Sequence, residues 1–281
     1  MRVGVVLLPQ ARWARAREQW QRVEALGFDH AWTYDHLAWR SLADEPWFGT
    51  VPLLAAAAVS TTRIRLGTWV ASPNFRHPVT FAKELMTLDD LSDGRFTLGV
   101  GAGGTGFDAT VLGGEVLPPR ERVDRLAEFV GLLDQLLREP VTTVQGPRYT
   151  AVEARMLPGC VQRPRLPFVV AANGPRAMAV AVEHGAGWAT TGPEGVTGEA
   201  WWTAVSGLVG RLEGLGGGGL DRYLNLDSGG VYALDSVGVF DDAVGRAAAL
   251  GFTDVVVHHP RAEGIYAGRV EVLEAVAPGT R

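Results

Sequence analysis

Ile64 to Gly104 reads IRLGTWVASPNFRHPVTFAKELMTLDDLSDGRFTLGVGAGG, and this stretch decides the fold. Ile64 to Val70 is a short apolar run that breaks off at Ala71-Ser72-Pro73-Asn74, and Phe96 to Val100 is another, ending in Gly101-Ala102-Gly103-Gly104. Between them, His77 to Leu91 carries helical spacing, with Pro78 in its first turn and Asp93-Gly94 as its stop. Strand, helix and strand therefore alternate, and both irregular segments follow strands. In α/β proteins ligands gather at the carboxyl ends of parallel strands, so the segment also points to a binding site.

The same rhythm extends in both directions. Strand character at Val3 to Leu8 and His30 to Tyr34 brackets a helical pattern at Arg15 to Leu26, and Pro52 to Ser60 is an alanine-rich helix. Pro119 to Arg138 is amphipathic, with Val123, Leu126, Val130, Leu133 and Leu137 on one face and Arg and Glu opposite. Strands at Phe168 to Ala172, Gly187 to Thr191, Tyr223 to Asp227 and Asp254 to His258 alternate with helices at Ala177 to His184, Ala200 to Leu215, Val239 to Leu250 and Ile265 to Val276. Eight strand-plus-helix units favour a single (β/α)8 TIM barrel over residues 1–281, with an open doubly wound sheet as the alternative. Val141 to Pro167 interrupts the rhythm with a strand pair around Gln145-Gly146-Pro147 and a proline-rich return, read as an insertion over the barrel mouth. Gly216 to Gly219 reads as a flexible turn.

Composition narrows the function classes. The 281 residues are 47% hydrophobic and 20% charged, ordinary for a globular chain with a large core. A net charge of −5 and a pI near 5.7 provide no basic stripe for nucleic acid and no polybasic membrane anchor, which favours a small-molecule ligand. No apolar run reaches the ~18 residues of a membrane span, and Met1-Arg2-Val3-Gly4 leads straight into a strand without export-signal pattern, so the expected location is cytoplasmic. The single Cys160 excludes an intramolecular disulfide and a cysteine-rich metal site. Lys83 is the sole lysine, which removes nearly every candidate for Schiff-base chemistry.

Several residues carry chemistry of their own. His36 follows an apolar strand, and an imidazole with an ordinary pKa of about 6.5 can exchange a proton near neutrality; the alternative is packing under the Trp39 loop. Glycines at 101, 103 and 104 let the backbone approach a ligand, although their spacing is not a dinucleotide fingerprint, and Thr105-Gly106-Phe107 reads as continuing loop. At Asn173-Gly174-Pro175-Arg176, helix-start N–H groups and an arginine converge where an anion could bind; Arg176 could equally balance surface charge. Trp13, Trp39, Trp47, Phe48 and Phe107 fall near the mouth as candidate walls of an apolar substrate pocket, or as core. His258-His259 at the last strand end lacks a carboxylate at ligand spacing, so it reads as pocket lining or packing, and no metal is expected.

Asp35-His36, LGTWVASPNFRHP, AKELMTLDDLSDGRF, LGVGAG and AANGPRAM, in this order, resemble the luciferase-like monooxygenase superfamily. The resemblance implies a barrel that binds coenzyme F420 or FMN at the carboxyl face of its strands. It further implies a non-prolyl cis peptide at Ala71-Ser72 backing the ring, with Ser72 and Asn74 as ring or tail contacts and Gly101 and Gly103 leaving space beside it. Asp35-His36 resembles the F420-dependent branch, where the histidine lies near the reactive ring carbon and Asp35 binds the ring or orients the histidine. Phosphate-tail contacts map to Asn173, Gly174, Pro175, Arg176, Thr190, Thr191 and Gly192. Sugar-oxidising F420 enzymes similar to this chain have a glutamate where Gly104 stands, so that activity is in doubt. Three functions follow as expectations: an F420-dependent hydride transferase, an FMN-dependent monooxygenase fed by a partner reductase, and a non-catalytic flavin-binding homologue. A homodimer is expected from the same resemblance.

Overall fold

A computed structural model describes residues 1–104 and 107–280. Eight parallel strands close into a barrel in the order β1 (Arg2–Val6), β2 (His30–Thr33), β3 (Arg65–Thr68), β4 (Phe96–Gly101), β7 (Phe168–Ala171), β8 (Gly187–Thr190), β9 (Asp221–Asn225) and β10 (Asp254–His258), which pairs back onto β1. Around them run α1 (Trp13–Ala25), α2 (Thr50–Ser60), α3 (Pro78–Leu91), α5 (Pro119–Arg138), α6 (Pro175–His184), α7 (Gly198–Gly214), α8 (Val237–Ala249) and α9 (Val270–Val276). The expected (β/α)8 architecture is therefore correct, and the open-sheet alternative falls with the β1–β10 pairing.

The helices form where the periodicity places them. In α5 the buried side chains are Leu126, Phe129, Val130, Leu132, Leu133, Leu136 and Leu137, so the apolar face packs inward. Each such side chain stabilises the fold by about 1.5–3 kcal/mol. Pro78 opens α3, where the His77 ring accepts from Val79 N at 3.3 Å, and Gly94 at φ +73° ends it. The lumen is filled by Val6, Trp32, Tyr34, Trp69, Val169, Ala189, Tyr223 and Val256. Gly67 makes room for this filling: a Cβ there would lie 2.3 Å from the Trp32 ring.

Three local expectations change. The hairpin β5 (Val141–Gln145) and β6 (Thr150–Arg155) forms as read, but it lies in the outer layer rather than over the mouth. Its turn is held by Glu128 of α5, which accepts from Arg148 N and Tyr149 N at 2.9 Å each, and its return is tied to the amino end of β4 by Gln162 donating to Phe96 O at 2.7 Å. The connection leaves α5 at the amino side and must return there to start β7; between the two its turn runs back along α5 on the outside of the barrel, where Tyr149 meets the ring of His77, the N-cap of α3, at 5.6 Å. Ile265 to Gly268 is a turn rather than the start of the last helix, with Tyr266 at φ +62°. Finally, the loop after β4 contains a short helix, α4 (Phe107–Thr110); Thr105 and Gly106 lie outside the described residues.

Candidate active site

Because all eight barrel strands are parallel, their carboxyl ends share one rim, and the sequence-selected residues at strand exits converge there. The side chains alternate as the strand pleat requires. Tyr34 and His36 face the mouth together, their rings 6.0 Å apart, while Asp35 between them turns the other way. Asp35 is buried and accepts both Nε and Nη2 of Arg76 at 2.6 Å each, with Arg76 also bridging to Glu84 at 2.8 Å. Burial pulls the Arg76 pKa down, but the two carboxylates outweigh it and hold the guanidinium above its usual value. The reading of Asp35 as the residue that orients His36 is therefore corrected: Asp35 anchors the β3–α3 loop through Arg76.

The histidine is oriented instead by Asp108 of α4. His36 Nδ1 and Asp108 Oδ2 are 2.7 Å apart, and Asp108 Oδ1 accepts Leu37 N at 2.7 Å. Asp108 is fully buried, whereas His36 keeps 12% of its side chain exposed. A carboxylate only accepts, so Nδ1 carries the hydrogen and Nε2 remains available to the site. Asp108 was not read from sequence. It belongs to the same loop as Gly104, the position where an acid was missed.

The β3 exit has the expected irregularity, displaced by two residues. The cis peptide joins Trp69 and Val70, not Ala71 and Ser72. Ala71 has already rejoined the ladder: its N donates to Gly99 O and its O accepts Gly101 N, both at 2.8 Å, so the bulge must lie before it. Ser72 is buried, with its hydroxyl 3.4 Å from Asn74 N. Gly103, at φ +74°, faces Asn74 so closely that a Cβ would lie 2.4 Å from the amide nitrogen. Arg125 donates to Asn74 Oδ1, and Arg122 donates to the Gly103 carbonyl at 3.4 Å and to that of Gly104. Both arginines come from the polar face of α5, which the sequence offered only as a solvated surface.

At the β7 and β8 exits the predicted residues bond to one another. Thr190 Oγ1 donates to Asn173 Oδ1 at 2.6 Å, Asn173 Nδ2 donates to Gly192 O at 2.8 Å, and Thr191 donates weakly to the same carbonyl at 3.2 Å. This knot fixes the start of α6, where Gly174 is the N-cap without a side-chain cap and Pro175 is the first residue. The next amide groups, of Arg176 and Ala177, point outward as helix-start donors. Arg176 pairs with Asp124 of α5 on the surface, consistent with its charge-balancing reading. Arg125 Nε is buried with no partner among the described residues, and burial lowers the pKa of its guanidinium. An uncapped helix start, open space over Gly174 and a half-buried guanidinium whose Nε has no partner among the described residues together fit a ligand with an anionic tail.

The walls are partly as expected. Trp39 and Trp47 pack on Tyr34 at 5.0 and 6.3 Å, and Trp47 Nε1 donates to His36 O at 2.8 Å. Phe107 and Trp13 are exposed at the starts of α4 and α1, with Trp13 outside this ring cluster. His258 is fully buried, so it does not line a pocket directly; it bonds to Asp227 and Tyr34. Burial lowers the pKa of His259. No cluster of His, Cys, Asp and Glu suited to a metal occurs among the described residues.

Comparison with known proteins places this geometry. Among curated relatives, the F420-dependent glucose-6-phosphate dehydrogenase of Amycolatopsis mediterranei (strain U-32) is 33% identical over 180 residues, covering 62% of this chain and 52% of the relative. The F420-dependent hydroxymycolic acid dehydrogenase of Mycobacterium tuberculosis is 35% identical over 193 residues, covering 66% and 51%. The chain thus spans about half the length of these relatives. Among solved structures, an F420-dependent secondary alcohol dehydrogenase superposes with a TM-score of 0.82 at 16% identity, over 100% of this chain and 99% of the other, which shows a common fold. The family profile described as luciferase-like monooxygenase matches residues 1–204, and the chain belongs to that family.

Proposed function

We propose that this protein is an F420-dependent oxidoreductase that passes hydride between the deazaflavin and a small organic substrate, with His36 as its proton donor and acceptor. The His36–Asp108 pair carries the reading: it sets an oriented imidazole at the β2 exit of a family fold among whose relatives are enzymes named for F420. When bound, the deazaflavin supplies the carbon that accepts or returns hydride. The chain would supply orientation, a dry pocket and proton control.

The Trp69–Val70 bulge with Ala71 and Ser72 would back the ring, and Gly101 and Gly103 would leave room at its edge. The α6 start, with Arg125 and Arg122, would hold the anionic tail, supported by the unspent Arg125 Nε. Asp108 keeps the hydrogen on Nδ1, so Nε2 takes a proton from the site; the resulting imidazolium is then stabilised by the carboxylate against it. Tyr34, Trp39 and Trp47 exclude water from that nitrogen. Residues 1–281 would act as one barrel domain in the cytoplasm. The expected homodimer is checked by sedimentation.

The test is a titration of the purified protein with F420 and with FMN, followed by ligand fluorescence. Binding of F420 at least an order of magnitude tighter than FMN is expected, about 1.4 kcal/mol. Preference for FMN would sink the reading in favour of the monooxygenase with a partner reductase. That alternative draws some support from a monooxygenase relative of Streptomyces nodosus subsp. asukaensis, 37% identical over 126 residues.

A further inference from the structure

We propose that Tyr266 and Tyr34 form a proton wire into the buried His258–Asp227 pair, and that this wire takes the proton of a substrate hydroxyl. The proposal rests on the oxidoreductase reading above and adds a second proton station to it. Oxidising an alcohol needs two stations, because the hydroxyl proton must leave and the reduced ring must gain one. The His36–Asp108 pair is one of them. At the carboxyl mouth a second histidine carries a carboxylate on its ring, His258.

The geometry fixes the direction of the wire. Asp227 Oδ2 accepts the His258 backbone N–H and lies 2.7 Å from both that nitrogen and Nδ1, so Nδ1 carries the ring hydrogen. Nε2 is then an acceptor, and among the described residues the group at bonding distance is Tyr34 Oη, at 2.8 Å, which must donate. Tyr34 Oη in turn lies 3.2 Å from Tyr266 Oη, and with its own hydrogen committed it accepts. Three of the four members are buried: Asp227 at 1%, His258 at 0% and Tyr34 at 5% exposure. Tyr266 alone is partly open, so it is the entrance.

Tyr266 is held there against its backbone preference. A bulky residue at φ +62° is an outlier, and Arg261 secures it by donating its N to Tyr266 O at 2.9 Å while its guanidinium pairs with Glu45 at 2.5 Å. The Tyr266 ring stacks on His258 at 3.7 Å and 3°. Burial raises the pKa of both phenols, which keeps them neutral carriers rather than phenolates. The other charged or titratable groups facing the wire are Arg40 from the loop after β2, Tyr232, whose hydroxyl donates to His258 O at 2.8 Å, and His36 across the Tyr34 ring.

The C–H pair of the alcohol leaves as hydride to the deazaflavin, and the O–H bond breaks with its electrons closing the C=O bond. The proton passes to Tyr266 Oη, the Tyr266 proton to Tyr34, and the Tyr34 proton to His258 Nε2. His258 ends as imidazolium against Asp227, with both phenols neutral, and the charge that the hydride brings to the ring would be balanced by a proton from Nε2 of His36, held beforehand as imidazolium against Asp108. Tyr266 is the catalytic group; Tyr34, His258 and Asp227 act through it.

Nitrogen-resolved NMR of the full chain without cofactor provides the first test. His258 is expected as the Nδ1–H tautomer, and an Nε2–H tautomer overturns the wire. The second test uses F420-loaded protein with 2-propanol and cyclohexanol as probes, followed by stopped-flow absorbance. Tyr34→Phe and Tyr266→Phe should each slow hydride transfer about a hundredfold and abolish its solvent isotope effect, with F420 affinity unchanged. The double variant should be no slower than either single one, because the members act as a unit. Wild-type rates in either variant, additive losses, or no turnover of either alcohol with F420 bound overturn the proposal. Failure of the wild type to bind F420 would instead overturn the function proposed above, leaving the tautomer as the test of the wire.

Discussion

The two mouths of this barrel are built from the same strands and use their polar residues in opposite ways. At the amino mouth, Asp254 accepts Arg2 Nε and Nη2 at 2.7 Å each, Thr253 Oγ1 at 2.6 Å and His30 Nε2 at 3.1 Å, while Trp32 Nε1 closes onto His30 Nδ1 at 2.6 Å. These groups satisfy one another around a cavity of about 160 Å³, and what they produce is stability. At the carboxyl mouth, several networks end in a group with no further partner among the described residues: Nε2 of His36, Nε of Arg125 and the first amides of α6, with the Tyr266 hydroxyl at the open end of another. Unspent donors and acceptors are what a ligand can use. Completeness of hydrogen bonding, rather than residue type, separates His30, whose two ring nitrogens are both spent, from His36, to which the proposal gives the proton.

Substitutions at the two ends should therefore fail in different ways. Asp254→Ala leaves Arg2 and His30 without their acceptor, and denaturant unfolding should show a loss of about 3–5 kcal/mol, with F420 affinity unchanged in the folded fraction. A large drop in affinity at unchanged stability would erase the distinction between the mouths. His36→Asn keeps a donor for Asp108 but cannot relay a proton; hydride transfer should fall about a hundredfold, or about 2.7 kcal/mol, while the thermal midpoint holds. Undiminished transfer would remove His36 from its role. Arg125→Ala should weaken F420 binding about tenfold, with a reduced salt dependence, measured by fluorescence titration.

The smallest effect concerns pH. Burial pushes the Asp254 pKa up, but bonds from His30, Arg2 and Thr253 outweigh it and hold the group below its usual value. A depressed folded pKa contributes stability that is present above the unfolded value of about 3.9 and lost as pH falls through the folded one. Unfolding free energy should thus decline below about pH 4, and an Asp254→Asn variant should lose that part of the slope. An identical acid slope in the variant would assign it to other carboxylates.

Legibility from sequence followed the range of the forces. Asp254–His258 and Pro119–Arg138 have the bounds their local patterns give, because strand alternation, helical spacing and proline placement act within a few residues. The β3 exit was readable as irregular, yet the position of the cis bond was not: Ala71 is fixed by its ladder bonds to Gly99 and Gly101, a contact with another strand. Asp35 was misread because adjacency in sequence suggested adjacency in space, whereas the pleat turns it away from His36 towards Arg76, 41 residues on. Asp108, 72 residues beyond His36, had no local pattern pointing to it.

The sequence by itself determined the alternation of strands and helices, hence a parallel sheet with the strand exits on one side; the β1–β10 pairing decided that it closes into a barrel. Its turn chemistry also marked the β3, β4 and β7 exits as the candidate ligand site. Only the tertiary structure decided which side chains meet: Asp108 with His36, Arg125 with Asn74, and Tyr34 with Tyr266, His258 and Asp227. The physical reason is that hydrogen bonds reach about 3 Å, so partners far apart in the chain are chosen by barrel closure and loop packing, which no local pattern encodes.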